Sequence, residues 1–160
     1  MIVTEQKQII LILSLAIALG LLRSFFIDDP EFSLIKQERI IEEVVSFSLP
    51  DEMTDPMIVN LEFAKYHFNA GSAVFIDARD AEDYESGHIQ NAVNIPYDNY
   101  EDYEDVINGL DDSGIYIIYC SGDECSLSID LADYLYNEKL IDKLLIFEGG
   151  WPEWRDAGYP

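Results

Sequence analysis

Basic side chains are scarce in this sequence. Only 9 Lys and Arg stand against 32 Asp and Glu in 160 residues, for a formal charge of −23. DNA and RNA are bound first through clustered Lys and Arg on the phosphate backbone, so no nucleic-acid partner is expected. Cysteine is scarcer still, with two residues, which excludes a disulfide scaffold and a four-thiolate zinc site. No residue pattern asks for a metal or a cofactor, and neither an internal repeat nor a low-complexity tract is present. Hydrophobic residues are not lacking. At 49% they suffice for a core and exclude global disorder, and the length suits one domain with an appendage. The acidity is uneven: residues 1–50 hold four basic and seven acidic side chains, whereas 51–160 hold five and 25.

Residues 1–29 are read as a membrane anchor. Ile9 to Leu22 reads IILILSLAIALGLL without a charge, and past Arg23 the run resumes at Phe25, Phe26 and Ile27. A bilayer core needs about 20 mostly apolar helical residues. The span reaches that length with Arg23 snorkelling at one interface. A cleaved signal peptide would use Lys7 and the Ala16-Ile17-Ala18 site, but the apolar run continues beyond Ala18. No Cys lies near position 20, which excludes a lipoprotein anchor, and the lack of a polar face argues against a core helix. The expectation is a single-pass membrane protein. Lys7 on one side nearly balances Arg23 on the other, so the charge rule barely sets orientation. The orientation adopted is that of a simple signal anchor, with the domain extracytoplasmic (periplasmic).

Residues 30–56 form a connector. Leu34, Ile35, Glu38, Ile41, Glu42 and Val45 have helical spacing, and Pro50 and Pro56 mark a turn-rich linker. Residues 57–160 alternate strand and helix. Expected strands are Ala73–Asp77, Ala92–Ile95, Ile115–Tyr119 and Leu144–Phe147. Expected helices are Asn60–Phe68, Asp80–Glu85, Asn99–Asn108, Ser126–Asn137 and a short one from Trp151. The βα order implies a small parallel sheet covered on both faces, with chemistry beyond the carboxyl ends of its strands.

Cys120 stands at such an end. It follows the apolar strand IYIIY and precedes Ser121-Gly122-Asp123-Glu124-Cys125-Ser126 and a helix. Backbone N–H groups and the helix N-terminus favour an anion there, which lowers a thiol pKa. A thiolate or a persulfide suits that setting better than a core cysteine would.

Three groups of residues resemble the signatures of rhodanese-like domains. Phe75-Ile76-Asp77-Ala78-Arg79, Tyr84, Gly87-His88-Ile89, Ala92 and Asn94-Ile95-Pro96 resemble the first, and Tyr119-Cys120-Ser121-Gly122 the active-site strand and loop. Phe147 to Trp154, with Ala157-Gly158-Tyr159-Pro160, resembles the third. The resemblance implies an α/β fold around a five-stranded parallel sheet with helices on both faces. It also implies a sulfurtransferase that passes sulfane sulfur through a Cys120 persulfide, with a sulfur donor and an acceptor thiol as partners. Asp77 and Arg79 are expected to support the strand end, with help in holding an anion as the alternative for Arg79, and the GHI segment with His88 to be a structural turn. His67 is read as structural, and Trp151 and Trp154, one helical turn apart, as packing residues.

The loop departs from that pattern. Active members often carry Arg just before the helix-opening Ser, where this chain has Cys125, and Asp123 and Glu124 precede it. Carboxylates beside a thiolate oppose its formation and repel an anionic donor such as thiosulfate, so a neutral or protein-bound persulfide donor is expected. Cys125 opens an alternative, thiol–disulfide exchange with Cys120, unless it turns into the core as the first helical residue. A non-catalytic interaction module with an acidic face is the third reading. The sequence argues against a cysteine phosphatase, because Ser126 stands where the phosphate-clamping Arg would be.

Overall fold

The structure is a computed structural model that describes residues 53–122, 125–139 and 141–160, with Leu11, Ser14, Leu49 and Pro50. The expected anchor and most of the connector therefore lie outside the described residues, as do Asp123 and Glu124 of the loop. Among the described residues no helix is long and apolar enough to cross a membrane.

Five strands form one parallel sheet: β1 (Met57–Val59), β2 (Val74–Asp77), β3 (Val93–Asn94), β4 (Ile115–Tyr119) and β5 (Lys143–Phe147), in the order β1-β5-β4-β2-β3. The helices are α1 (Leu61–Ala70), α2 (Ala81–Ser86), α3 (Glu104–Ile107), α4 (Leu127–Lys139) and α5 (Gly150–Asp156).

β4 lies at the centre of the sheet and is buried on both sides, which explains its unbroken apolar run. Side chains alternate across it. Tyr116, Ile118 and Cys120 join the core layer of Leu131, Ala132 and Leu135 from α4. Ile117 and Tyr119 join the opposite layer, with Phe63 from α1 and Trp154 from α5. Each such Ile or Leu contributes roughly 1.5–3 kcal/mol by leaving water. The alternation fixes the site, because Cys120 continues the β4 rhythm and must point to the α4 side.

The helix starts follow local chemistry. Asn60 Oδ1 accepts from the Phe63 N–H at 3.0 Å, and Asp80 Oδ1 from Asp83 N–H at 2.8 Å. Gly71 closes α1 in the left-handed region, at φ 60°.

Two elements differ from expectation. The three-residue edge strand β1 went unread, being too short for a period; its pairing to β5, with Ile58 opposite Ile146, defines it. Over Asn99–Asn108 one helix was expected; Tyr97–Tyr103 is instead 3₁₀ structure kinked at Asn99, with φ −143°, and Glu104–Ile107 follows as an α-helix. Tyr97, Tyr100 and Tyr103 from this segment all pack against the core.

Candidate functional site

Cys120 is buried, with 1% of its surface exposed, at the carboxyl end of β4. Its loop turns through Gly122, at φ 107°, and the Cys125 N–H donates to the Gly122 carbonyl at 2.8 Å. That bond closes a tight turn and brings the two cysteines together. They form a disulfide with their Cα atoms 6.4 Å apart, inside the span such a bond accepts. Cys125 thus meets Cys120 while it packs, half-buried, against the core, and it precedes α4, which starts at Leu127.

Of the N–H groups expected to hold an anion on sulfur, that of Cys125 is committed to Gly122. Ser126 stands at the helix entry, where its carbonyl accepts the Asp130 N–H at 2.9 Å. Ser121 and Gly122, which follow Cys120, line the mouth of a surface depression.

One neighbour of the sulfur was missed by sequence reading. Ser128 Oγ, on a residue 1% exposed, lies 3.5 Å from Cys120 Sγ, and the Cys125 carbonyl oxygen lies at 3.3 Å. Both come from the loop exit and first turn of α4. The Ser128 hydroxyl can donate to a sulfur anion, whereas the carbonyl favours a protonated thiol. The available signal was a Ser on the inner face of the helix opened by Ser126.

The other wall comes from the chain after β5. The Trp151 N–H donates to the Cys120 carbonyl at 2.9 Å. Gly150, at φ 59°, lies so close that a Cβ there would strike the Cys120 carbonyl oxygen and lie 2.8 Å from Gly122 N. An open depression of about 530 Å³ is lined by Ser121, Gly122, Gly149, Pro152, Glu153 and Asp156. Asp156 is paired with Arg155 at 2.8 Å, and Glu153 is the second carboxylate of the lining. Neither Glu153 nor Asp156 was foreseen as part of the site.

Asp77 and Arg79 form a buried bidentate pair at 3.0 and 2.6 Å, and Arg79 also donates to the Gly87 carbonyl at 2.8 Å. Burial opposes the guanidinium charge, but the Asp77 hydrogen bond and charge outweigh it and raise the Arg79 pKa. The Tyr119 hydroxyl accepts the Ile89 N–H at 3.0 Å. Burial, reinforced by Asp77, pushes the Tyr119 phenol far above its ordinary range. These groups tie β2, β4 and the Gly87–Ile89 turn together. The Arg79 guanidinium is spent on that task, on Asp77 and the Gly87 carbonyl. His88 is likewise a turn residue: its Nδ1 lies 2.8 Å from the Tyr84 carbonyl oxygen and its ring stacks on Tyr84 at 3.7 Å. Trp154 is fully buried, in line with a packing role. Among the described residues no group of three or more His, Cys, Asp or Glu is placed to hold a metal ion.

Comparison with known proteins adds a family. The model of the rhodanese-like domain matches residues 60–157. Curated relatives include an HTH-type transcriptional regulator of Mycobacterium tuberculosis, 33% identical over 57% of this chain and 38% of the regulator. Another is a tRNA uridine(34) hydroxylase of Erwinia tasmaniensis, 30% identical over 83% of this chain and 40% of the hydroxylase. The chain thus spans about two-fifths of the length of either. Among solved structures, the BH2092 protein of Bacillus halodurans superposes with a TM-score of 0.55 at 25% identity, covering 62% of this chain and 72% of that one. A thiosulfate sulfurtransferase of Pseudomonas aeruginosa also gives a TM-score of 0.55, at 21% identity over 66% of this chain and 20% of that enzyme, a likeness of fold alone.

Proposed function

The chain belongs to the rhodanese-like domain family, and from that premise we propose that it is a sulfurtransferase carrying sulfane sulfur as a persulfide on Cys120. The observation that carries this reading is the position of Cys120. It ends the central strand of a parallel sheet and enters a loop leading to the N-terminus of α4, and the next two residues, Ser121 and Gly122, line an open depression. Such a sheet puts chemistry at that edge, and the helix terminus favours an anion on sulfur.

The transfer has two steps. The Cys120 thiolate attacks the outer sulfur of a donor persulfide, forming Cys120–S–S⁻ and releasing the donor thiol. An acceptor thiolate then takes the outer sulfur and leaves the Cys120 thiolate. Glu153 at the mouth, with Asp123 and Glu124 in the loop sequence, disfavours thiosulfate, so the donor is a neutral or protein-bound persulfide. The uncharged run Ile9–Leu22 supports a single-pass anchor with the domain on the extracytoplasmic side.

Sulfane-sulfur transfer from a small hydropersulfide to an acceptor thiol tests this reading. The reduced chain is expected to turn over, whereas Cys120→Ser is inactive; equal activity in the two overturns it.

A second reading, dithiol–disulfide exchange, is favoured by the Cys120–Cys125 bond itself. Alkylation followed by mass spectrometry in graded redox buffers tests it. A reversible intramolecular disulfide is expected, and two free thiols under mild oxidant would overturn it.

A further inference from the structure

We propose that Cys125 is a resolving thiol that discharges the Cys120 persulfide within the chain, releasing hydrosulfide and leaving the disulfide. The inference rests on the persulfide reading above and names the thiol that discharges it.

Three observations support it. The two sulfurs reach bonding contact with the loop turn closed and the sheet intact, at a Cα separation of 6.4 Å. The turn is held by the Cys125 N–H to the Gly122 carbonyl, so Cys125 is delivered to Cys120 by the backbone. Cys125 is half-buried while Cys120 is 1% exposed, so the nearest nucleophile to the Cys120 sulfur is inside the protein. An external acceptor must reach a sulfur on a residue with only 1% of its surface exposed.

The step balances without an outside oxidant. The Cys125 thiolate attacks Sγ of Cys120. A Cys120–Cys125 bond forms, the bond from Sγ to the outer sulfur breaks, and that sulfur leaves as hydrosulfide with its electron pair and one proton. The two cysteine sulfurs are oxidised by two electrons and the sulfane sulfur is reduced by two. A dithiol reductant then returns both cysteines to thiols, becoming a disulfide itself. Because Cys120 is sealed in the bonded form, that form accepts no sulfur until it is reduced. The chain is thereby a persulfide reductase coupled to a dithiol donor.

The test uses the full-length chain, reduced, freed of reductant under nitrogen and given one equivalent of cysteine hydropersulfide. Wild type is expected to release hydrosulfide stoichiometrically, lose two hydrogens in mass and resist alkylation at both cysteines. Cys125→Ser and Cys125→Ala are expected to keep the mass of one added sulfur and to release hydrosulfide roughly tenfold or more slowly, for want of an intramolecular attacker. The wild-type covalent state is read without any variant, so a folding defect in either does not decide the matter. Three results overturn the proposal: a wild-type persulfide that persists beside an alkylatable Cys125, the sulfur found on Cys125, or equal release from the variants. If wild type and both variants fail to load sulfur on Cys120, the sulfurtransferase reading itself falls, and that outcome is distinct from the other three.

Discussion

Gly150 is packed onto the carbonyl of Cys120, leaving no room for a side chain. Its φ of 59° is in the left-handed region, and a Cβ would lie 2.8 Å from Gly122 N as well as striking the Cys120 carbonyl oxygen. The turn after β5 thereby holds the turn after β4, and the Trp151 N–H reinforces it at 2.9 Å. Gly150→Ala is expected to destabilise by about 2–4 kcal/mol, combining backbone strain with the displaced carbonyl bond. Sulfur transfer should fall with it. A urea midpoint matching wild type would show that the two turns do not depend on this contact.

The Asp77–Arg79 pair predicts a loss of stability without a matching loss of chemistry. Both side chains are almost wholly buried, at 0% and 5% exposure. Asp77→Ala leaves the guanidinium uncompensated, which costs about 3–5 kcal/mol. Sulfur loaded per folded molecule should stay at the wild-type value. Loading that collapses while the denaturation curve is unchanged would assign Asp77 to catalysis instead.

Tyr119 predicts the alkaline limit. Its phenol is raised in the folded state, chiefly by burial, from an ordinary value of 10.0. Above pH 10.0 the unfolded chain loses that proton while the folded chain keeps it, so stability falls as pH rises. Below pH 10.0 the contribution is complete. Tyr119→Phe is expected to flatten the alkaline arm of the stability curve, at a loss near neutral pH of about 1 kcal/mol for the bond to Ile89 N–H. An unchanged slope above pH 10.0 would contradict this.

Glu153 predicts donor choice. Its side chain lines the depression beside the loop. Glu153→Gln should raise the second-order rate with thiosulfate by roughly threefold to tenfold at low salt, with a smaller gain at high salt. The rate with a neutral hydropersulfide should hardly change. A parallel change for both donors would mean that Glu153 shapes the pocket rather than its charge selectivity.

Much of this molecule was legible beforehand. IYIIY announced a central strand because burial on both faces leaves no polar positions, and Asn60 and Asp80 announced their helices by capping chemistry. Cys120 was found from its place between strand and helix. What escaped notice depends on distant pairing. β1 has three residues and is defined by β5. The Tyr97–Tyr103 segment kinks at Asn99, where tertiary packing of the tyrosines overrides a single helical run. Ser128 and Glu153 reach the site only because α4 and α5 converge on the same strand end, a relation that no local spacing records.

The most direct test is the covalent state of Cys120 after the reduced Cys125→Ser chain meets a hydropersulfide. Peptide mass spectrometry should find one added sulfur on the Cys120 peptide, removable by an acceptor thiol and missing from a Cys120→Ser chain. A Cys120 peptide that stays unmodified, or equal sulfur in the Cys120→Ser chain, would contradict the account.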